Sequence, residues 1–236
     1  MEKRRVLLKL SGESLCKPGD FGIDASCVRT LASEIQAGLS AHNDVEVALI
    51  LGGGNLLRGA TLAGDEIDRV TADTMGMLAT VMNALALRAG LRRIGIPATV
   101  MSALPAPEGA EPFSSTVCIE HLRHGQVVIL AGGTGNPYFT TDTTASLRAL
   151  QIGAQVVLKG TKVKGVYSSD PNSDPEAVFY ERLTHVEALK QGLRIMDATA
   201  ISMCMEHNLK IRVFNMREAG NIGRAIGGEA IGSLVE

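Results

Sequence analysis

Short apolar runs alternate along this chain with longer stretches of helical period. Val6-Leu7-Leu8-Lys9-Leu10 and Val45–Leu51 have strand length and little polar interruption, the pattern of strands covered on both faces. Between them Val28, Leu31, Ile35 and Leu39 recur at helical spacing, with Asp24 placed to cap that helix. A second helical pattern carries Met75, Leu78, Met82, Leu85 and Ala89 on one stripe, expected to face a sheet. Met77, Val81 and either Leu56 or Leu57 then fall on another side. An exposed apolar side of that kind marks a subunit contact, and the alternative is a helix sandwiched within one subunit. A strand near Ala98–Met101, a Pro-rich loop and a short helix before Gly125 follow. Next come a strand at Val127–Leu130, a helix over Thr143–Leu150 and a strand at Val156–Leu158. A helix capped by Asp197 precedes a last run, Ile211–Phe214. Ser168–Pro175 is rich in turn formers and reads either as a mobile loop or as a hairpin tip.

Strand-helix alternation predicts an α/β fold with a mainly parallel sheet covered on both faces. Right-handed crossovers would line up the strand C-termini along one edge, where small ligands usually bind. The 236 residues suit one domain, residues 1–236, with a soft lobe boundary near residue 155. No internal repeat is present.

Composition narrows the function. Acids and bases number 25 and 23, for a net charge of -2, so nothing pulls the whole molecule toward nucleic acid or an anionic membrane. Trp is absent and aromatics are scarce, which argues against a stacking platform for single strands. Cys16, Cys27, Cys118 and Cys204 form no C-x-x-C pair and are expected as reduced thiols. His121 and His124 share a helix face without a third ligand, and no metal-ligand set is assigned. The charged N-terminus runs straight into an apolar run too short for a signal-peptide core, and no stretch reads as a membrane span. The expectation is a soluble cytoplasmic protein.

Candidate chemistry lies where strands end. Leu10 gives way to Ser11-Gly12-Glu13-Ser14 and Leu51 to Gly52-Gly53-Gly54-Asn55. Ala131 gives way to Gly132-Gly133-Thr134-Gly135-Asn136-Pro137, and Leu158 to Lys159-Gly160-Thr161-Lys162. One glycine turn means little, but several at successive strand ends let backbone N–H groups approach a phosphate without Cβ interference. Lys9 interrupts an apolar strand and needs either a counter-anion or an edge position from which it reaches water. Arg58, Lys159 and Lys162 accompany the loops. The chain has no Gly-Lys dipeptide, which excludes a P-loop, and it lacks G-x-S-x-G and H-E-x-x-H.

Several of these segments resemble one family in collinear order. Val6–Glu13, Gly52–Gly59, Asp73–Thr80, Gly135–Asp142, Lys159–Tyr167 with Asp170-Pro171, and Ile211–Asn215 are similar to the motifs of the bacterial uridylate kinases. The resemblance runs from about Arg5 to Glu236. It implies the amino-acid-kinase fold, an αβα sandwich, assembled as a homohexamer. It implies transfer of the ATP γ-phosphoryl group to UMP in pyrimidine nucleotide synthesis, with Mg2+ accompanying ATP. ATP-side positions fall on Lys9, Leu10, Ser11, Gly12, Gly54, Arg58, Thr161, Tyr167 and Asp170, with Lys162 a further cation. UMP-side positions fall on Gly53, Asp73, Thr134, Gly135, Asn136, Pro137, Tyr138, Phe139, Thr140 and Thr141. The lobe before residue 155 would then serve the acceptor and residues 156–236 the ATP. The family also suggests inhibition by UTP and activation by GTP. Here Thr99 and Gln126 replace basic positions associated with GTP, while Arg88 and Arg92 remain basic. Lys164 stands where the family usually has Asp.

A phosphate monoester is already an anion, so its phosphorylation needs positioning and charge neutralisation rather than a general base. Lys9 is the first candidate for the transferring phosphoryl, Lys159 the second and Lys162 the third. Asp142 either orients Lys9 or caps a helix, and Asp73 either caps a helix or binds the ribose hydroxyls. Tyr167 either stacks on adenine or belongs to the core. Two rivals stand beside this reading: a same-fold kinase for a carboxylate or carbamate, and a non-catalytic nucleotide sensor or storage protein.

Overall fold

The computed structural model describes residues 3–57, 64, 66–105 and 108–236, and every apolar run named above becomes a strand in it. The strands are β1 (Arg4–Leu10), β2 (Val45–Leu51), β3 (Ala98–Ser102), β4 (Glu111–Pro112), β5 (Val127–Ala131), β6 (Val156–Thr161), β7 (Val166–Tyr167), β8 (Phe179–Tyr180), β9 (Arg182–Leu183), β10 (Lys210–Asn215) and β11 (Ser233–Val235). Nine of them form one sheet in the order β4-β3-β5-β2-β1-β6-β10-β11-β9, with β1 at its centre. Neighbours are parallel except β10 and β11. The parallel pairing follows from the helices, which carry the chain back between strands: α1 (Ala25–Ala41), α2 (Arg69–Arg93), α3 (Ser115–Arg123), α4 (Thr141–Gln151), α5 (His185–Lys190), α6 (Ala198–Glu206) and α7 (Asn221–Gly227). The expected α/β architecture, a mainly parallel sheet between two helical layers, is what forms.

Side chains alternate across β1 and so feed two cores. Val6, Leu8 and Leu10 pack with α1, α2 and α7, while Leu7 packs with α3, α4, α5 and α6. Asp24 caps α1 by accepting from the Ser26 and Cys27 amides, and Asp197 caps α6 by accepting from the Ala200 amide. The turn-rich segment is a hairpin tip: β7 and β8 pair antiparallel, and the Ser168 amide donates to the Val178 carbonyl at 2.9 Å. All four cysteines are free thiols.

The helix α2 corrects two expectations. Its inward residues are Ala72, Met77, Ala79, Val81, Ala84, Leu87 and Leu91, whereas Leu78 is 46% and Met82 55% exposed. Leu78 and Met82 of the expected stripe therefore point out, Leu85 stays half-buried against the core, and the side carrying Met77 and Val81 points in. Close approach explains the inversion. Gly90 lies so near α1 that a Cβ would sit 2.6 Å from Val28 Cγ1, and Thr80 and Asn83 use the inward face for hydrogen bonds to the glycine loops. The second correction is the start of the helix. Asp68 is its cap, accepting from the Thr71 amide, so Asp73 lies one turn inside and caps nothing. On length and composition α2 could also cross a bilayer, contrary to the sequence reading, but its inner face belongs to the core.

The helices α1 and α7 also approach closely. A Cβ on Gly38 would lie 3.0 Å from Gly223 Cα and 3.0 Å from Ile226 Cβ. Gly38→Val should lower the unfolding free energy by about 1–3 kcal/mol through overpacking, read from the urea midpoint at unchanged m-value.

Candidate active site

Period two in β1 places Lys9 on the same face as Leu7, and the same rule in β6 places Lys159 beside Val157. Because β1 and β6 are parallel and in register, Lys9 and Lys159 are direct cross-strand partners. Like charges at such a position repel. Helix α4 crosses this face and supplies the counter-charge. Asp142 Oδ1 lies 2.8 Å from Lys9 Nζ and Oδ2 lies 2.7 Å from Lys159 Nζ, with the side chains only 11–16% exposed. Lys159 also donates to the Ile195 carbonyl. The Lys9 contact lacks hydrogen-bond alignment and is chiefly Coulombic.

Burial works to raise the Asp142 carboxyl, but the two ammonium groups outweigh it and hold the group below the ordinary carboxylate range. Burial lowers the Lys159 ammonium below the usual lysine value, against the pull of Asp142. The cluster carries two positive charges and one negative at the C-terminal end of the central strands.

Asp142 is not the cap of α4. Thr140 holds that position, its hydroxyl accepting from the Asp142 amide at 3.0 Å and the Thr143 amide at 3.2 Å. A first-turn carboxylate gains from the helix dipole and remains free to point inward. Asp197 fixes this turn from outside, accepting from the hydroxyls of Thr140 and Thr143, the latter at 2.9 Å. Sequence reading finds Asp197 only as a helix cap. Its link to Thr140 spans 57 residues, and no local pattern signals it.

Two clefts flank the cluster. A small one of about 160 Å3 is lined by Gly53, Asp73, Gly133, Asn136, Phe139, Thr140 and Thr141, with Leu57, Gly76, Met77, Thr80 and Thr144. Asp73 Oδ2 accepts from Arg69 Nε at 2.8 Å and from the Tyr138 amide at 2.7 Å. Among the described hydrogen bonds Oδ1 has no partner and remains available. Tyr138 takes φ of 70°, a left-handed conformation costly for a non-glycine residue, held by that Asp73 bond. Thr134, Gly135 and Pro137 complete the loop.

A larger cleft of about 590 Å3 lies across the cluster, lined by Lys159, Thr161, Val163, Gly165, Tyr167, Asp170 and the segment from Gly192 to Ile195. The Tyr167 ring packs on Phe179 at 5.3 Å, and the Lys164 ammonium lies 4.4 Å from the centroid of the Phe179 ring. Leu10 is fully buried, with its side chain against Gly160. Ser11 caps the short 3₁₀ turn Gly12–Leu15, and a Cβ on Gly12 would lie 2.4 Å from the Gly52 carbonyl oxygen. Lys162 and Gly54 are not brought to this cleft. They line a third hollow with Glu13, Lys17, Phe21 and Arg217, where Lys162 pairs with Glu13. Arg58 lies outside the described residues.

Sequence reading misses the groups that hold the loops. Asn83 and Asn55 exchange amide hydrogen bonds at 2.6 and 3.1 Å, Asn83 also donates to the Gly52 carbonyl at 2.7 Å, and Thr80 accepts from the Gly132 amide at 2.8 Å. All three residues are buried. Two glycine-walled clefts around a buried cationic cluster suit transfer of a phosphoryl group by charge neutralisation.

A family comparison agrees with this class: residues 4–215 match the model of the amino acid kinase family, and the chain belongs to that family. It is 51% identical to the uridylate kinase of Legionella pneumophila (strain Lens) over 235 residues, covering 100% of this chain and 94% of the relative. The UMP kinase structure from Bacillus anthracis superposes with a TM-score of 0.93 at 33% identity, covering 100% of this chain and 97% of that one. The UMP kinase from Ureaplasma parvum gives 0.91 at 36% identity with both chains covered fully.

Asp142→Asn should cost about 3–5 kcal/mol, because it leaves two buried ammonium groups facing each other. The folded-state carboxyl titrates below its unfolded value. Its stabilising contribution is therefore present above the ordinary carboxylate range and lost as pH falls through the depressed value. Urea unfolding of both proteins should show a gap that is full at neutral pH and closes only in that acid window. A gap independent of pH would remove the carboxylate charge from the explanation.

Proposed function

We propose that this chain is a UMP kinase, transferring the γ-phosphoryl group of ATP to UMP to give UDP and ADP in pyrimidine nucleotide synthesis. The observation that carries this reading is the Lys9–Asp142–Lys159 cluster set between two clefts. Full-length similarity to uridylate kinases favours UMP over a carboxylate or carbamate acceptor and over a non-catalytic sensor. The smaller cleft takes UMP, in the lobe before residue 155, and the larger takes ATP, in residues 156–236. The free Oδ1 of Asp73 accepts from a ribose hydroxyl, and the glycine-rich loop around Thr134–Thr141 encloses the nucleotide. Tyr167 and Asp170 lie on the adenine side.

The acceptor phosphate is a competent nucleophile at neutral pH, so the barrier is repulsion between two anions. Lys9 lies on the central strand and serves the transferring phosphoryl, with Lys159 beside it. Asp142 keeps both ammonium groups aimed. Lys162, committed to Glu13 in a separate hollow, ranks third.

Among the described residues no cluster of three or more His, Cys, Asp or Glu could hold a metal ion. A Mg2+ ion would come with ATP, held by its phosphates, and Asp142 would meet that ion through water rather than directly. The ion would neutralise phosphate charge there. A homohexamer in the cytoplasm completes the proposal, with the exposed Leu78 and Met82 side of α2 in the dimer contact. UTP inhibits by competition or through the assembly. Thr99 and Gln126 bond to each other at 2.7 Å, Arg88 donates to the Gly109 carbonyl and Arg92 to the Ala98 carbonyl, which leaves little for a GTP phosphate.

A coupled ADP-release assay should show turnover that requires both UMP and a divalent cation. Comparable turnover with acetylglutamate and none with UMP would overturn the assignment. Lys9→Ala should lower kcat by roughly 10²–10³ with the fold retained. Asp73→Ala should raise KM for UMP and leave KM for ATP nearly unchanged. Light scattering after gel filtration checks the assembly, and a stable monomer at micromolar concentration would contradict it.

A further inference from the structure

Arg148, on the inner side of α4, is a buried cation that the chemistry above does not use. The residue is 5% exposed, and among the described ion pairs it has no carboxylate partner. Its guanidinium carbon lies 4.0 Å from the centroid of the Phe113 ring. Nη1 donates to Gln151 Oε1 at 2.7 Å, and Nη2 donates to the Gly133 carbonyl at 3.3 Å. Burial holds the group below the usual arginine value, so keeping it charged there costs stability. An aliphatic side chain would fill the same space without that cost. The planar fork must therefore serve a purpose that packing does not.

That purpose is visible at Gly133. This residue lines the smaller cleft and takes φ of 61°, and a Cβ there would lie 3.1 Å from Met77 Cγ. The peptide joining Gly133 to Thr134 is trans, so its C=O and N–H point in opposite directions. Arg148 takes the carbonyl, and the Thr134 N–H points the opposite way from it. Among the described hydrogen bonds that N–H has no acceptor, while the Thr134 hydroxyl is engaged with Asn136 at 3.2 Å. A carbonyl gripped by a charged donor also makes its peptide N–H a better donor.

We propose that Arg148 is a positioning residue for the acceptor: its grip on the Gly133 carbonyl presents the Thr134 amide to an oxygen of the bound nucleoside monophosphate. The inference rests on the smaller cleft being the UMP site. Phe113 and Gln151 pre-order the guanidinium, so the loop does not have to be organised by the substrate. Lysine at position 148 could supply the charge but could not stack on Phe113 and reach both acceptors at once.

Steady-state kinetics with both substrates varied, and UMP binding by calorimetry, test the idea on the full-length enzyme. Arg148→Gln should raise KM and Kd for UMP roughly three- to tenfold, the worth of one well-placed hydrogen bond, with KM for ATP unchanged. Arg148→Lys should recover only part of that loss. Phe113→Leu keeps the charge and removes the stacking; it should raise KM for UMP by about twofold and serves if the Arg148 variants do not fold. Inhibition by uridine tells which oxygen is met: weakening in step with UMP assigns the nucleoside part, and weakening of UMP alone assigns the phosphate. Folded variants with unchanged KM for UMP, or with equal losses on UMP and ATP, would overturn the positioning role while leaving UMP turnover intact. A wild-type enzyme that turns over ATP with another acceptor and not UMP would instead overturn the assignment of the cleft.

Discussion

Two lysines face each other across the central pair of strands, and the carboxylate of Asp142 lies between them at 2.7 and 2.8 Å. Much of the remaining structure serves this contact. Strand register makes the lysines neighbours, and register in a parallel sheet is set by which faces are buried. Burying one carboxylate between two ammonium groups costs desolvation on all three. The arrangement persists because α4 is anchored by its Thr140 cap and by Asp197 on α6, so the carboxylate cannot swing out to water. The surplus positive charge is thereby concentrated where a polyphosphate can neutralise it.

The glycine loops depend on a second, polar constraint. Their backbones approach each other and α2 too closely for side chains, as at Gly12 against Gly52 and at Gly53 against Gly76. Loops so bare have no packing of their own to hold them. Asn83 and Thr80 supply the missing definition by bonding to loop backbone from the buried face of α2, and Asn55 answers Asn83 from within its own loop. Arg148 acts in the same way from α4, on the Gly133 carbonyl. The floor of the smaller cleft is thus held by side chains that do not all line it, and which gain from burial only because every polar atom involved finds a partner.

The helix α2 shows how such demands override hydrophobic size. Its most bulky stripe, with Leu78 and Met82, lies outward, and its inner face is built from Ala, Gly, Thr and Asn together with Val81, Leu87 and Leu91. Small residues let α1 and the loops come close, which no stripe of large side chains would permit. The outward apolar side, with Leu78 and Met82, remains exposed.

The sequence by itself determined the order of β1, β2, β3, β5, β6 and β10 and the parallel α/β architecture. Continuous apolar runs, helical periodicity and caps such as Asp24 are local signals, and they act within a few residues. It also marked the loops and Lys9, because glycine clusters and a cation inside an apolar strand are unusual wherever they occur. Resemblance to known motifs singled out Asp142 and Asp73, for which spacing alone left both capping and chemistry open. Only the tertiary structure decided that Lys9 and Lys159 share one face, that Asp142 bridges them, and that Lys162 lies elsewhere. It alone decided which side of α2 is buried, and it alone revealed Asp197, Asn83 and Arg148. The reason is physical: these are contacts between residues tens to more than a hundred positions apart. Their partners are chosen by strand register and helix crossing, and no periodicity in the chain records either.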